Sequence, residues 1–241
     1  MLLATQLIGF GAGGDEVVGG GNDANTKVLL HFDGADASTT ITDDNAGGSA
    51  HTWTANGNAQ IDTAQSVFGG ASLLLDGSGD YVSSPDHADF EVSGDYTIDC
   101  RIRANAFGAD KCVFAKGRTA SNKFFGPYVC RYENASGNLV FYSSSDGVNW
   151  NIANAQSFGA ISTATWYHIA VVRSSNDYFL FKDGVQQATF SSSLTPDNNT
   201  AALLIGRFVD TNDWNGWIEE FRLSHSARWT SNFTPPASAY S

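Results

Sequence analysis

The chain has 241 residues, with 13 Lys and Arg against 25 Asp and Glu and a formal net charge of −12. That balance, without any Lys or Arg run, argues against a nucleic-acid partner, because phosphate-backbone binding needs a basic surface that releases counterions. With 42% hydrophobic and only 16% charged residues, the chain is not disordered as a whole and can bury one sizeable core. No run of about 18 apolar residues occurs, so no membrane-spanning helix and no membrane insertion are expected.

In chain order, MLLATQLIGF places Leu2, Leu3, Leu7, Ile8 and Phe10 in an apolar opening with no basic residue before Lys27. A secretory signal needs a basic start, so this segment is expected to be retained. Residues 9–22, GFGAGGDEVVGGGN, are Gly-dense and read as a linker. The expected division is therefore a tail over 1–22 and a folded domain over 23–241.

From there the pattern is short, turn-bounded and β-rich. Strands are expected at KVLLHF (27–32), SLLLD (72–76), DYTIDCRIR (95–103), KCVFAK (111–116), PYVCRY (127–132) and NLVFYS (138–143). Further strands are expected at WYHIAVVR (166–173), DYFLFK (177–182), LLIGR (203–207) and GWIEEFRLS (216–224). Between them DGSGD (76–80), SGN (136–138), SDGVN (145–149) and KDGV (182–185) read as hairpin turns, since Asx-Gly accepts the positive φ such turns require. In DYTIDCRIR, Ile98, Cys100 and Ile102 alternate with Thr97, Asp99, Arg101 and Arg103, which marks one buried and one outward face. By the same parity Tyr128, Cys130 and Tyr132 share a face. The three cysteines, Cys100, Cys112 and Cys130, lack a CxxC-type metal spacing and are expected to be reduced and structural. No segment sustains a 3.6-residue apolar period, so an antiparallel two-sheet sandwich of about a dozen strands is expected.

The blocks LLHFDG (29–34), GGASLLLDGSGDYV (69–82), YTIDCRIR, WYHIAVVR, FLFKDGV (179–185) and IGRF with GWIEEFRLSHSARWTSNFTPP (205–236) carry a family resemblance. In order and spacing they resemble laminin-G-like domains of the concanavalin A-like lectin/glucanase class, over about residues 27–236. The ARWTSNFTPP close is similar to the variant found in bacterial and phage proteins. The resemblance implies an all-β, two-sheet antiparallel jelly roll whose first and last strands lie side by side.

That fold hosts both glycosidases and binding modules, so function has to be read from sites. Glucanases of this class carry an ExDxxE strand motif, and retaining hydrolysis needs two carboxylates about 5 Å apart. This sequence has no such strand; Glu219 and Glu220 are consecutive and would face opposite sides of a regular strand. His31, His51, His87, His168 and His225 are scattered, and no GxSxG or HExxH motif is present. A non-enzymatic role is expected.

The resemblance also implies Ca²⁺ as a candidate cofactor, held between the opening segment and the last strand, with Asp33, Asp43 and Glu219 in the corresponding places. Hard oxygens from distant segments suit such an ion, although family members more often carry Asp where Glu219 stands. Equally, Asp33 and Asp43 fit turn residues and Glu219 a solvated one. For sugars, Trp150 beside Asp146 and Asn149, and Trp214 beside Asp213, combine a stacking ring with hydroxyl-binding groups. The alternative is that both indoles cover a sheet edge.

The expected function is a bacteriophage virion structural protein, a capsid decoration or tail component made in the host cytoplasm and displayed on the virion surface. Its tail, through Leu2, Leu3, Leu7, Ile8 and Phe10, would attach many copies to other virion proteins. The alternative is a carbohydrate-binding module for a host or environmental polysaccharide, and one protein can do both.

Overall fold

The computed structural model describes residues 21–117, 125–208 and 212–241. Among these, the chain forms β1 (Thr26–Leu30), β2 (Thr54–Asn56), β3 (Gln60–Asp62), β4 (Ser72–Asp76), β5 (Tyr81–Ser84), β6 (Tyr96–Ala104), β7 (Lys111–Lys116) and β8 (Tyr128–Glu133). It continues through β9 (Asn138–Ser143), β10 (Ala153–Ala160), β11 (Trp166–Ser174), β12 (Asp177–Lys182), β13 (Val185–Ser191), β14 (Leu203–Ile205) and β15 (Asn215–Ser224). The one helical turn among the described residues is a short 3₁₀ segment, Ala88–Phe90.

The strands form two antiparallel sheets. The first runs β13-β12-β11-β6-β15-β4-β3, with β1 also paired to β15; the second runs β10-β9-β8-β7-β14-β5-β2. The first and last strands are neighbours, with Leu29 opposite Arg222 and Leu30 opposite Phe221. Side chains alternate across each strand, so Ile98, Cys100, Ile102, Ile218, Phe221 and Leu223 of the first sheet meet Phe114, Cys130, Phe141, Leu203 and Ile205 of the second in one core. All three cysteines are buried and free. Burial pushes all three thiols well above the ordinary cysteine range, which makes them poor nucleophiles.

Three of the expected hairpin turns join paired neighbours, β8 to β9, β9 to β10 and β12 to β13. DGSGD does not. It carries the chain from β4 in the first sheet to β5 in the second. Gly77 and Gly79 take φ of 87° and 84°, and the Asp80 carboxylate accepts from the N–H of Asp76 (2.9 Å) and Asn58 (2.6 Å). The local turn chemistry was legible; which sheet the next strand joins was not.

The outward face of β6 also differs from expectation, because Thr97 and Asp99 are fully buried. Residues 225–241 run across this side of the first sheet. Trp229 stacks on Phe233 with ring centroids 4.0 Å apart and packs with Ala170, Val172 and Phe181. Beneath this cover lies an ion pair. Arg222 Nε donates to Asp99 Oδ1 at 3.0 Å, both side chains being fully buried. Asp99 Oδ2 accepts from the Tyr240 hydroxyl and lies 3.4 Å from His168 Nε2. The Tyr240 ring lies 3.7 Å from the Arg222 guanidinium carbon. Burial favours the neutral acid, but Arg222, His168 and Tyr240 outweigh it and hold Asp99 below the usual carboxylate range.

The glutamates of β15 are likewise not on opposite sides. Glu220 takes φ of 52°, and the pairing of β15 with β6 slips between Glu219 and Arg222, a β-bulge. Glu219 and Glu220 are both buried. Glu220 accepts from Tyr240 N at 3.0 Å and pairs with His31 Nδ1 at 2.5 Å.

Removing one partner of the ion pair leaves the other charged and buried, which costs about 3–5 kcal/mol. Asp99→Ala is expected to lose stability on that order in urea unfolding. A loss below about 1 kcal/mol, the scale of an exposed pair, would mean that the pair does not organise this face.

Candidate functional site

The loop between β9 and β10 is built by its own polar side chains. Asp146 Oδ1 accepts from the N–H of Val148 (2.8 Å) and Asn149 (2.9 Å). Those two bonds are the main cause of its pKa falling to about 2. Asn151 accepts from Ser145 N at 2.9 Å and donates to Asp146 Oδ2 at 3.1 Å. Asp146 therefore holds the turn together, while Asn149 is exposed and Val148 is 62% exposed.

Trp150 closes the loop and is half-buried. Its indole packs 4.9 Å from the Tyr142 ring and 4.8 Å from the Phe125 ring. It lies against the cluster of Cys112, Ala115, Val129, Val140, Tyr142 and Phe208 on the outer face of the second sheet. Arg131 lies over Tyr142 at 4.6 Å and donates to Glu133 at 2.9 Å, and the Tyr142 hydroxyl bonds to Glu133. The result is an aromatic shelf with a partly exposed indole at one end and a charged Arg131–Glu133 rim. An apolar ring beside fixed hydrogen-bonding groups suits a saccharide, which presents apolar C–H faces and polar hydroxyls.

The second expected sugar cluster is not at the surface. Trp214 is fully buried in the core between the sheets, so its indole offers no stacking face. Asp213 is clamped by Arg207 at 2.6 and 3.0 Å and accepts from Gly79 N at 2.7 Å. DTNDWNG looks like a polar loop, but its end is drawn in by a bridge between Asp213 and Cys112.

Nor does the donor set expected for calcium fit the ion. Asp43 Oδ1 accepts from Leu29 N at 3.0 Å and Asn45 Nδ2 at 3.0 Å. Its Oδ2 faces His51 Nδ1 at 2.7 Å and Trp53 Nε1 at 3.1 Å. Glu219 Oε2 and Oε1 accept from the N–H of Val67 (2.6 Å) and Phe68 (2.5 Å). At least two partners converge on each Asp43 oxygen and fill the lone pairs a cation would use, while each Glu219 oxygen carries one N–H bond. Asp33 is exposed against Gly69, on the same 67–70 loop that caps Glu219. The fold thus draws Asp33 and Glu219 to one loop and sends Asp43 to another network.

Two curved antiparallel sheets with the first and last strands paired define the concanavalin A-like class. The family model for the concanavalin A-like lectin/glucanases superfamily (Laminin_G_3) matches residues 76–231, and the chain belongs to this family. No curated protein matches the sequence. Solved structures do match. Domain 4 of AbnA, a GH43 extracellular arabinanase from Geobacillus stearothermophilus solved with arabinotriose, aligns with a TM-score of 0.60 at 16% identity, covering 84% of this chain and 93% of that one. The binding domain of Paraclostridial Mosquitocidal Protein 1 aligns at 0.58 and 16% identity, covering 84% and 49%. The botulinum neurotoxin serotype D binding domain aligns at 0.62 and 13% identity, covering 85% and 49%. The aligned region spans about half the length of both toxin domains, and at these identities the likeness establishes the fold.

Burial pushes the Glu219 carboxyl from 4.5 up to about 7, with Glu220 adding to the shift and the two N–H bonds and Arg101 opposing it. Folding therefore favours its neutral form. That contribution to stability is complete below pH 4.5 and is lost as the pH rises through about 7. A carboxyl-detected NMR titration should place the Glu219 midpoint near 7. A midpoint at or below the ordinary value would show that the Val67 and Phe68 N–H groups win.

Proposed function

We propose that this chain is a non-catalytic glycan-recognition module, with the β9–β10 loop and the Trp150 shelf as its binding edge. The observation that carries this reading is the half-buried indole of Trp150, braced by Tyr142 and Phe125 beside Asn149 and the Arg131–Glu133 rim. A ring already fixed by packing loses little freedom on binding, which favours affinity. The arabinotriose-bound AbnA domain of the same fold supports a saccharide ligand. The net charge of −12 disfavours anionic polysaccharides and favours a neutral one.

The wider setting we propose is display in many copies on a larger assembly, a phage virion surface, with the tail over 1–22 as the attachment. Its anchor residues Leu2, Leu3, Leu7, Ile8 and Phe10 lie outside the described residues. The first two described residues, Gly21 and Asn22, touch the jelly roll: Asn22 N donates to Ser241 O at 3.2 Å and Gly21 O accepts from Arg222 Nη1 at 3.1 Å. Multivalent display suits a single shallow contact, because avidity multiplies weak sites.

The test is a glycan array probed with the full chain, followed by titration of the best neutral oligosaccharide. Trp150→Ala should weaken binding by about thirtyfold, the ~2 kcal/mol of a truncated aromatic hot spot, with the chain still folded at the assay temperature by circular dichroism although its melting temperature falls. Binding that survives this change would place recognition elsewhere. Separately, removing residues 1–20 should leave the fold and glycan binding intact and abolish incorporation into particles. Normal incorporation would assign attachment to the jelly roll itself.

A further inference from the structure

Away from the Trp150 shelf, at the β2–β5 edge of the second sheet, three side chains converge. His51 comes from the segment between β1 and β2, and His87 and Asp89 from the 3₁₀ turn after β5. One ligand atom from each lies within 4.8 Å of the others. We infer that His51, His87 and Asp89 form a binding site for a divalent transition-metal ion of the zinc type, with one coordination position open to solvent.

The geometry begins with His51. Its side chain is almost fully buried, yet a carboxylate faces each of its ring nitrogens: Asp43 Oδ2 is 2.7 Å from Nδ1, and Asp89 Oδ2 is 3.2 Å from Nε2. A neutral imidazole carries one proton and can serve only one of them. Asp43 is the fixed partner, because Trp53 Nε1, Leu29 N and Asn45 Nδ2 hold its carboxylate in place. With the proton on Nδ1, the Nε2 lone pair is directed at Asp89 Oδ2, where a metal ion would bridge the two. A metal-ligating histidine commonly donates its other N–H to a carboxylate in this way, which sets the tautomer and strengthens the ligand.

His87 supplies the third donor. Its Nδ1 is 3.3 Å from Asp89 Oδ2, and its ring centroid is 4.8 Å from that of His51. The two donor separations around Asp89, 3.2 and 3.3 Å, match the edge of a tetrahedron, about 3.3 Å for metal–ligand bonds of about 2.0 Å. The two imidazole donors, within 4.8 Å of each other, would close toward that same edge length on binding. Nδ1 of His87 accepts from Asp89 N at 3.1 Å and would exchange that bond for the ion. The Ser49 N–H, 2.8 Å from Asp89 Oδ2, holds the carboxylate toward the site.

Two imidazoles and one carboxylate select a borderline ion over calcium, which takes hard oxygens. A cavity of about 200 Å³, lined by Ala50, Thr52, Ser84, Pro85 and Asp86 with the two histidines, lies against the site. Three protein ligands beside such a cavity leave room for water or an oxygen from a bound molecule.

The test is isothermal titration of the full chain with zinc chloride at neutral pH, alongside thermal melts with zinc, with calcium and with chelator. One zinc per chain should bind and raise the melting temperature, as a ligand specific for the folded state does, while calcium should not. His87→Ala, at a partly exposed position that the core does not need, should weaken zinc binding at least tenfold. Asp43→Asn should weaken it by about 10–100-fold through loss of the carboxylate behind His51, and His31→Asn should leave it unchanged. The site is overturned by the absence of saturable zinc binding, by binding that survives His87→Ala, or by binding that falls equally in His31→Asn.

Discussion

The Asp99–Arg222 ion pair sits between β6 and β15, the two central strands of the first sheet, and much of the architecture on that side answers to it. Two charges taken out of water cost several kcal/mol each unless the remaining lone pairs and protons find partners. Here the partners come from far along the chain: His168 on β11, Tyr240 from the C-terminal segment, and the carbonyl of Gly21. Sealing the pair therefore requires residues 225–241 to cross the sheet, and Trp229 and Phe233 supply the apolar cover. The bulge at Glu220 belongs to the same requirement. Without its extra residue, the alternation from Ile218 would turn Phe221 outward and Arg222 into the core. The bulge restores Phe221 and Leu223 to the interior and sets Arg222 opposite Asp99. Replacing such a pair by apolar groups is often neutral to stability, whereas removing one partner alone is not.

The strand pattern was legible because it rests on local alternation. Cys100 between Ile98 and Ile102, and Tyr128, Cys130 and Tyr132 on PYVCRY, fall on the core side where period-2 parity puts them. The pairing of KVLLHF with GWIEEFRLS came from the family resemblance, and the structure has it. What parity could not supply was whether the other face of a strand is wet. Asp99 looked like a solvent residue, and only the C-terminal cover, more than 120 residues away, makes it a buried one. Trp214 failed for the mirrored reason: its neighbours Asp213 and Asn215 are polar, and that polarity is consumed by Arg207, Gly79 and Asp76 instead of by water.

The acidic residues divide along the same line. Of the carboxylates singled out from sequence, Asp43, Asp146, Asp213 and Glu219 are satisfied by N–H or guanidinium donors within the fold. Asp-rich composition here reflects loop construction, since a short carboxylate can gather several backbone donors and fix a turn. The histidines behaved in the opposite way. Thirty-six residues separate His51 from His87, so no spacing rule joins them, yet the β2–β5 pairing beneath their loops brings the rings into contact. Metal-like convergence of this type is a product of tertiary structure, whereas turn chemistry is a product of neighbours in sequence.

These constraints also decide where recognition can occur. The outer face of the first sheet is covered by the C-terminal segment, which seals the Asp99–Arg222 pair beneath it. The second sheet carries a thinner cover, formed by Phe125, Trp150 and Phe208 over Tyr142 and its neighbours, and the indole of Trp150 remains partly open at its margin. At the other edge of the same sheet the covering loops hold His51 and His87 beside an open cavity. Both candidate sites therefore lie on loops packed against the second sheet, the Trp150 shelf over its outer face and the histidines at its β2–β5 edge. Rigid backing is what a shallow site needs: ordering costs on binding are small when the ring and the imidazoles are already held by packing and hydrogen bonds.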